Sequence, residues 1–224
     1  MIRRSPVEIK SKKAKYILVE LGHHLPYSIL GVIAAIIMMA ILTFVAKVTH
    51  GEKFVPEASR EIFHVFHPAH VLFSAVATTA MFWKHDNQNI YKAMGIGLIG
   101  SVTICGISDI FIPYLGGLVL GQKMSMHLCL IKEPQLIFPF AVVGILAGFL
   151  IAKEIEKSTE YSHSIHVFLS SSASLLYLIG FGLVDWIHAV TGVFFVTIIA
   201  VMIPCCLSDI VFPMVCTHKY CQHN

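Results

Sequence analysis

Two aspartates interrupt stretches that are otherwise apolar. ICGISDIFIP occupies 104–113 and PCCLSDIVFP occupies 204–213, and without gaps they share Cys105 with Cys205, Ser108 with Ser208, Asp109 with Asp209, Ile110 with Ile210 and Pro113 with Pro213. An ionisable group inside a hydrocarbon-spanning segment is costly, so one at the same place in two such segments marks a ligand site, a relay or a pathway. Each aspartate follows a serine and precedes a proline by four residues. A helix carrying that pattern is expected to kink or break, which frees backbone groups that must line a cavity or find partners. An aspartate at such a break can bind a cation or carry a proton, and the plainer alternative is that it only caps the broken helix.

Two histidine pairs accompany them, His67 with His70 and His163 with His166. At H-x-x-H spacing two imidazoles lie one turn apart on one helix face. Neutral imidazole together with carboxylate suits zinc and related first-row cations. Ser74 and Thr78 follow the first pair, and Ser170 and Ser174 follow the second, at four-residue steps. These hydroxyls either line a polar path or let helices approach and bond across one another. Cys105, Cys205 and Cys206 add softer donors that favour zinc or copper over magnesium or calcium, although buried cysteines often only pack. Cys216, His218, Cys221 and His223 crowd the C-terminal tail and suit a metal-collecting arm without zinc-finger spacing. Met124, Met126, His127 and Cys129 form a similar group between the two halves, where interfacial packing is the alternative. There is no phosphate loop, no H-E-x-x-H and no G-x-S-x-G, and an enzyme is not expected.

The elements that carry these residues are membrane helices. Of 224 residues 56% are hydrophobic and only 13% charged, with a mean hydropathy of +0.77. Soluble domains carry about 25% charged residues, so this chain lacks the charge to coat a globule in water. Six apolar stretches approach the ~20 residues needed to cross a bilayer. The fold class expected is an all-α integral membrane protein with six transmembrane helices as two inverted three-helix repeats. A basic cytoplasmic tail covers 1–24, the first repeat 25–117, an outer connecting segment 118–134, the second repeat 135–215 and the Cys/His tail 216–224. Pro26 stands in the first turn of helix 1, residues 49–63 form a loop, helix 2 opens near His64, and Gly116 with Gly117 ends helix 3. Most lysines and arginines fall on the side of the N-terminal tail, which places both termini inside the cytoplasmic membrane. The charge of +3 is too small and too local to suggest nucleic acid. Nothing suggests structural disulfides.

The repeat pairs His67 with His163, His70 with His166, Ser74 with Ser170, and, more faintly, Glu20 with Glu133. An odd number of helices per half makes the halves inverted, the plan of many secondary transporters, with sites near the midplane where the repeats meet. Inversion groups His67, His70, Asp109 and Glu133 towards the outer side, and His163, His166, Asp209 and Glu20 towards the inner side. The function expected is transport of a divalent or soft transition-metal cation, with zinc, copper, nickel and manganese unresolved. Its partners are the lipid bilayer, the cation and a possible second copy or larger membrane complex. The rival expectations are a membrane redox protein, using haem b between histidines or the Cys105 and Cys205 thiols, and a non-transporting subunit of a larger assembly.

Overall fold

The structure is a computed structural model. It describes the backbone of residues 6–85, 89–152 and 155–206, and side chains over 25–84, 89–152 and 164–202 and at Pro204. All regular elements among the described residues are helical. They are α1 (Pro6–Val48), a short 3-10 turn (Glu52–Phe54), α2 (Val55–His85), α3 (Ile90–Gly106), a π turn (Ile107–Phe111), α4 (Ile112–Val119), α5 (Cys129–Lys132), α6 (Pro134–Ile151), α7 (Ile155–Gly180) and α8 (Val190–Cys206).

Among the described residues four stretches are long and apolar enough to cross a membrane: Leu25–Val48, Glu52–Lys84, Ile90–Val119 and Pro134–Ile151. Two shorter apolar stretches, Ser164–Gly180 and Val190–Met202, stand where helices 5 and 6 were expected. The 17 described residues of the first rise about 25 Å, less than a ~30 Å hydrocarbon core. α6 is built inside out relative to a helix in water. Its inward face is Ile137, Ala141, Gly144, Ile145 and Gly148, while Phe138, Val142, Val143, Leu146 and Leu150 face outward. Only an apolar surrounding accepts such a face at no cost.

Several boundaries differ from the sequence reading. Lys, Glu, Ala and Leu in the basic tail are good helix formers, so α1 begins at Pro6 and Pro26 lies in its interior rather than its first turn. α2 begins at Val55, inside the expected loop, because Pro56 and Glu57 are well suited to a first helical turn. His67 therefore sits about 18 Å below the start of its helix rather than at its mouth. Gly116 and Gly117 lie inside α4, which runs on to Val119.

The packing that matters for the site runs through α2. Gly144 and Gly148 present a G-x-x-x-G face to it: a methyl group on Gly144 would overlap the Leu72 carbonyl, and one on Gly148 would lie 2.8 Å from Val76 O and Thr79 Cβ. Backbones approach this closely only where side chains are absent. On the other flank of α2, residues Ser170 to Gly180 of α7 are continuously buried.

Candidate functional site

The expected break at Asp109 is a π turn. The Ile112 N–H reaches back to Ile107 O, one residue further than an α-helix allows. The next bond in that pattern would run from residue 113 to Ser108 O, but Pro113 has no N–H. Ser174 on α7 fills the gap, its hydroxyl donating to Ser108 O at 3.1 Å. With the π turn absorbing one extra residue, Pro113 stands in the first turn of α4, where no N–H is required. The turn also carries Ser108, Asp109 and Ile110 into the bundle, with Asp109 at 0% exposure.

Asp109 is the centre of a cluster drawn from three elements. His67 Nδ1 and His70 Nδ1, from successive turns of α2, lie 2.8 and 2.7 Å from the same oxygen, Oδ2. The hydroxyls of Ser108 and of Ser170 from α7 donate to Oδ1, the latter at 3.2 Å, and the two hydroxyls are themselves 3.2 Å apart. Phe63 stacks flat on the His67 ring at 5.2 Å and holds it in place. His166 of α7, 2% exposed, meets the His70 ring edge-on at 4.6 Å.

A carboxylate oxygen only accepts, so both imidazoles donate their Nδ1–H to Asp109, and in its neutral form each carries its lone pair on Nε2. The Cys105 thiol faces that lone pair on His70, with Sγ 3.8 Å from Nε2. Carboxylates that bind the far nitrogen of a histidine are the usual outer support of metal-ligating imidazoles, fixing tautomer and orientation. Asp109 thus aligns ligands more directly than it offers itself as one. The donors gathered are imidazole and thiol, a set suited to zinc and softer first-row cations rather than to magnesium or calcium.

Glu133 is not among them. It ends the one-turn α5, and its carboxylate lies with a second group above the first: 3.7 Å from His64 Nε2 and 3.9 Å from His127 Nε2. Those two imidazole nitrogens are 3.3 Å apart. His64, His127 and Cys129 each bring one donor atom to within 4.8 Å of the others. His127 is fixed by its own N–H, which donates to the Tyr177 hydroxyl at 3.0 Å, and by Phe181 stacked on its ring at 5.0 Å. Burial, then the neighbouring His64 and Lys132, lowers the His127 pKa below that of a free imidazole and favours the neutral ligand form. Burial pushes the Cys129 thiol up to about 12, with Glu133 and Asp109 adding to the rise.

Of the residues singled out from sequence, His67, His70, Asp109 and Cys105 come together as expected, and His166 joins them. The assignment of His166 to a separate inner layer is therefore corrected: α7 packs beside α2 with the two histidine faces opposed. The assignment of Glu133 to the Asp109 layer is corrected as well, because the early start of α2 carries His67 too deep for it. The side chains of Glu20, His163, Cys205 and Cys206 lie outside the described residues, as do Asp209, Cys216, His218, Cys221 and His223. His64 was missed as a ligand because it seemed only to open a helix. Its signal was the ladder His64, His67, His70 at regular three-residue steps. Set against protein-family models, curated proteins and solved structures, the chain matches none.

Proposed function

We propose that the chain is an integral membrane transporter of a divalent or soft transition-metal cation, and that the cation passes through the cluster around Asp109. The observation that carries this reading is a fully buried carboxylate that meets two imidazoles through Nδ1, so that in the neutral form their Nε2 atoms would be the ligands. Such an arrangement has little use as mere packing. Buried ionisable groups among apolar helices are retained for pathways and ligands. Charge balance supports a cation as well. Asp109 with neutral imidazoles leaves the cluster at one negative charge. A divalent ion that displaces the Cys105 thiol proton brings ion, thiolate and carboxylate to zero, the total least costly in hydrocarbon.

The same proposal includes the finer plan of six spans in two inverted halves of three. It is supported by the match of the two Cys-x-x-Ser-Asp-Ile-x-x-Pro segments and of the histidine pairs on α2 and α7. Asp209 and His163 then belong to the counterpart half, and the membrane is the cytoplasmic one with both termini inside. Elemental analysis of protein purified without a histidine tag and without chelator tests the site. Zinc, copper, nickel, manganese or cobalt near stoichiometry, reduced by about one equivalent in Asp109→Asn, is the expected result. Metal retained in full by Asp109→Asn would overturn this placement.

A further inference from the structure

The group above the Asp109 cluster has the makings of a second metal centre. We propose that His64, His127 and Cys129, with Glu133 as a fourth donor, bind a zinc-class divalent cation at the end of the bundle and hand it to the Asp109 cluster. Four observations converge on it. The ligand types are right: two imidazoles, a thiol and a carboxylate make a set that zinc takes in tetrahedral sites. The donor atoms are already gathered, with the two imidazole nitrogens 3.3 Å apart and the carboxylate within 3.9 Å of each.

The group is also built rather than accidental. The ligands come from two separate stretches of chain: His64 from α2, and His127, Cys129 and Glu133 from α5 and the residues flanking it. The segment before α5 is held down by the Ser125 N–H donating to Phe181 O at 2.8 Å, and by Tyr177, which accepts from the His127 N–H and donates to Ser125 O. Arg60 on α2 donates to Gly180 O at 3.0 Å and lies over the Phe181 ring, 5.6 Å from its centroid.

The position suits loading. Side-chain exposure falls from 17% at His64 to 4% at His67 and 1% at His70. The three histidines follow one another at about 4.5 Å per step along α2, so an ion moving down the ladder never leaves imidazole reach. Binding at the upper group stands on its own geometry, whereas its loading role rests on the transport reading.

The test is cobalt titration of the full-length protein in detergent, with Co²⁺ as a spectroscopic stand-in for zinc. A thiolate-to-cobalt charge-transfer band with tetrahedral d–d bands is expected in the wild type, removed by added zinc. Cys129→Ser should abolish the part of the band that this site contributes, and His127→Ala, which leaves the thiol in place, should weaken cobalt binding at least about tenfold. Asp109→Asn should leave this band intact. A charge-transfer band unchanged by both Cys129→Ser and His127→Ala, or absent from the wild type, would overturn the site. If the band behaves as expected while Asp109→Asn leaves transport untouched, the second centre stands and the route through the Asp109 cluster falls.

Discussion

Ser174→Ala removes one hydroxyl from α7, and its cost should depend on a proline 61 residues away in sequence. The Ser174 hydroxyl is the donor to Ser108 O, a carbonyl at a fully buried residue that the π pattern assigns to Pro113 and that Pro113 has no N–H to serve. Leaving a buried carbonyl without a donor costs about 1–3 kcal/mol, while interhelical hydrogen bonds removed from membrane proteins average about 0.6 and reach about 1.7. The full burial of this carbonyl places the expected loss near the top of the membrane range, about 1–2 kcal/mol. In a Pro113→Ala background residue 113 regains an N–H that can turn to Ser108 O, and the loss from Ser174→Ala should fall below about 0.5 kcal/mol. The coupling between the two positions is then about 1 kcal/mol, read from a double-mutant cycle. Reversible unfolding in mixed micelles of increasing denaturing detergent supplies the four stabilities. Equal losses in the two backgrounds would refute the argument that Ser174 stands in for the missing N–H.

Other consequences follow from single contacts. Gly144→Val puts a branched side chain onto the Leu72 carbonyl and should destabilise by at least the ~1–3 kcal/mol of an overpacked core, whereas Gly95→Ala, with nothing near its added methyl group, should unfold no earlier than the wild type. The Cys129 thiol, raised from 9.0 to about 12, holds about three orders of magnitude fewer thiolates at pH 8 than an ordinary cysteine. Brief maleimide treatment of the metal-free folded protein should leave Cys129 unmodified by mass spectrometry, and labelling at the denatured rate would contradict this. Asp185 accepts from His188 Nδ1 at 2.8 Å, which lowers its carboxyl below the usual carboxylate range. A lowered acid stabilises above its unfolded pKa and loses that contribution as pH falls through the folded one. The pair is on the surface, so the readout is the carboxyl carbon shift of Asp185, whose midpoint should rise to the ordinary range in His188→Ala.

What the sequence disclosed and what it hid have separate physical causes. His67, His70 and Asp109 were legible as a group because H-x-x-H fixes a helix face and a carboxylate in an apolar stretch demands partners. The π turn was legible only as a break: Pro113 announces that a carbonyl is released, but the identity of its new donor, Ser174, depends on how α7 lies against α4 and the π turn. Helix starts were harder. Pro56 and Glu57 mark the first turn of α2, yet the charged residues around them resemble a loop, and the nine-residue difference moved Glu133 out of one cluster and into another. His64 then changed from a helix-opening residue to a ligand candidate. The inverted plan predicted two separate layers, while the close approach of α2 and α7 brings His166 onto His70, a pairing that no periodicity within either helix encodes.

The central claim, that a transition-metal cation passes through the cluster around Asp109, is tested most directly by flux. Wild-type protein and Asp109→Asn would be reconstituted at matched density into liposomes that enclose a metal-sensitive dye, and zinc, manganese, nickel and copper supplied outside in turn. The change exchanges charge-assisted hydrogen bonds to two imidazoles for neutral ones, a loss of about 2 kcal/mol that corresponds to about 30-fold in affinity. Saturable entry of at least one of these ions through the wild type, with the Asp109→Asn protein close to empty liposomes at the same concentration, is the predicted result. Equal flux through the two proteins would contradict the account.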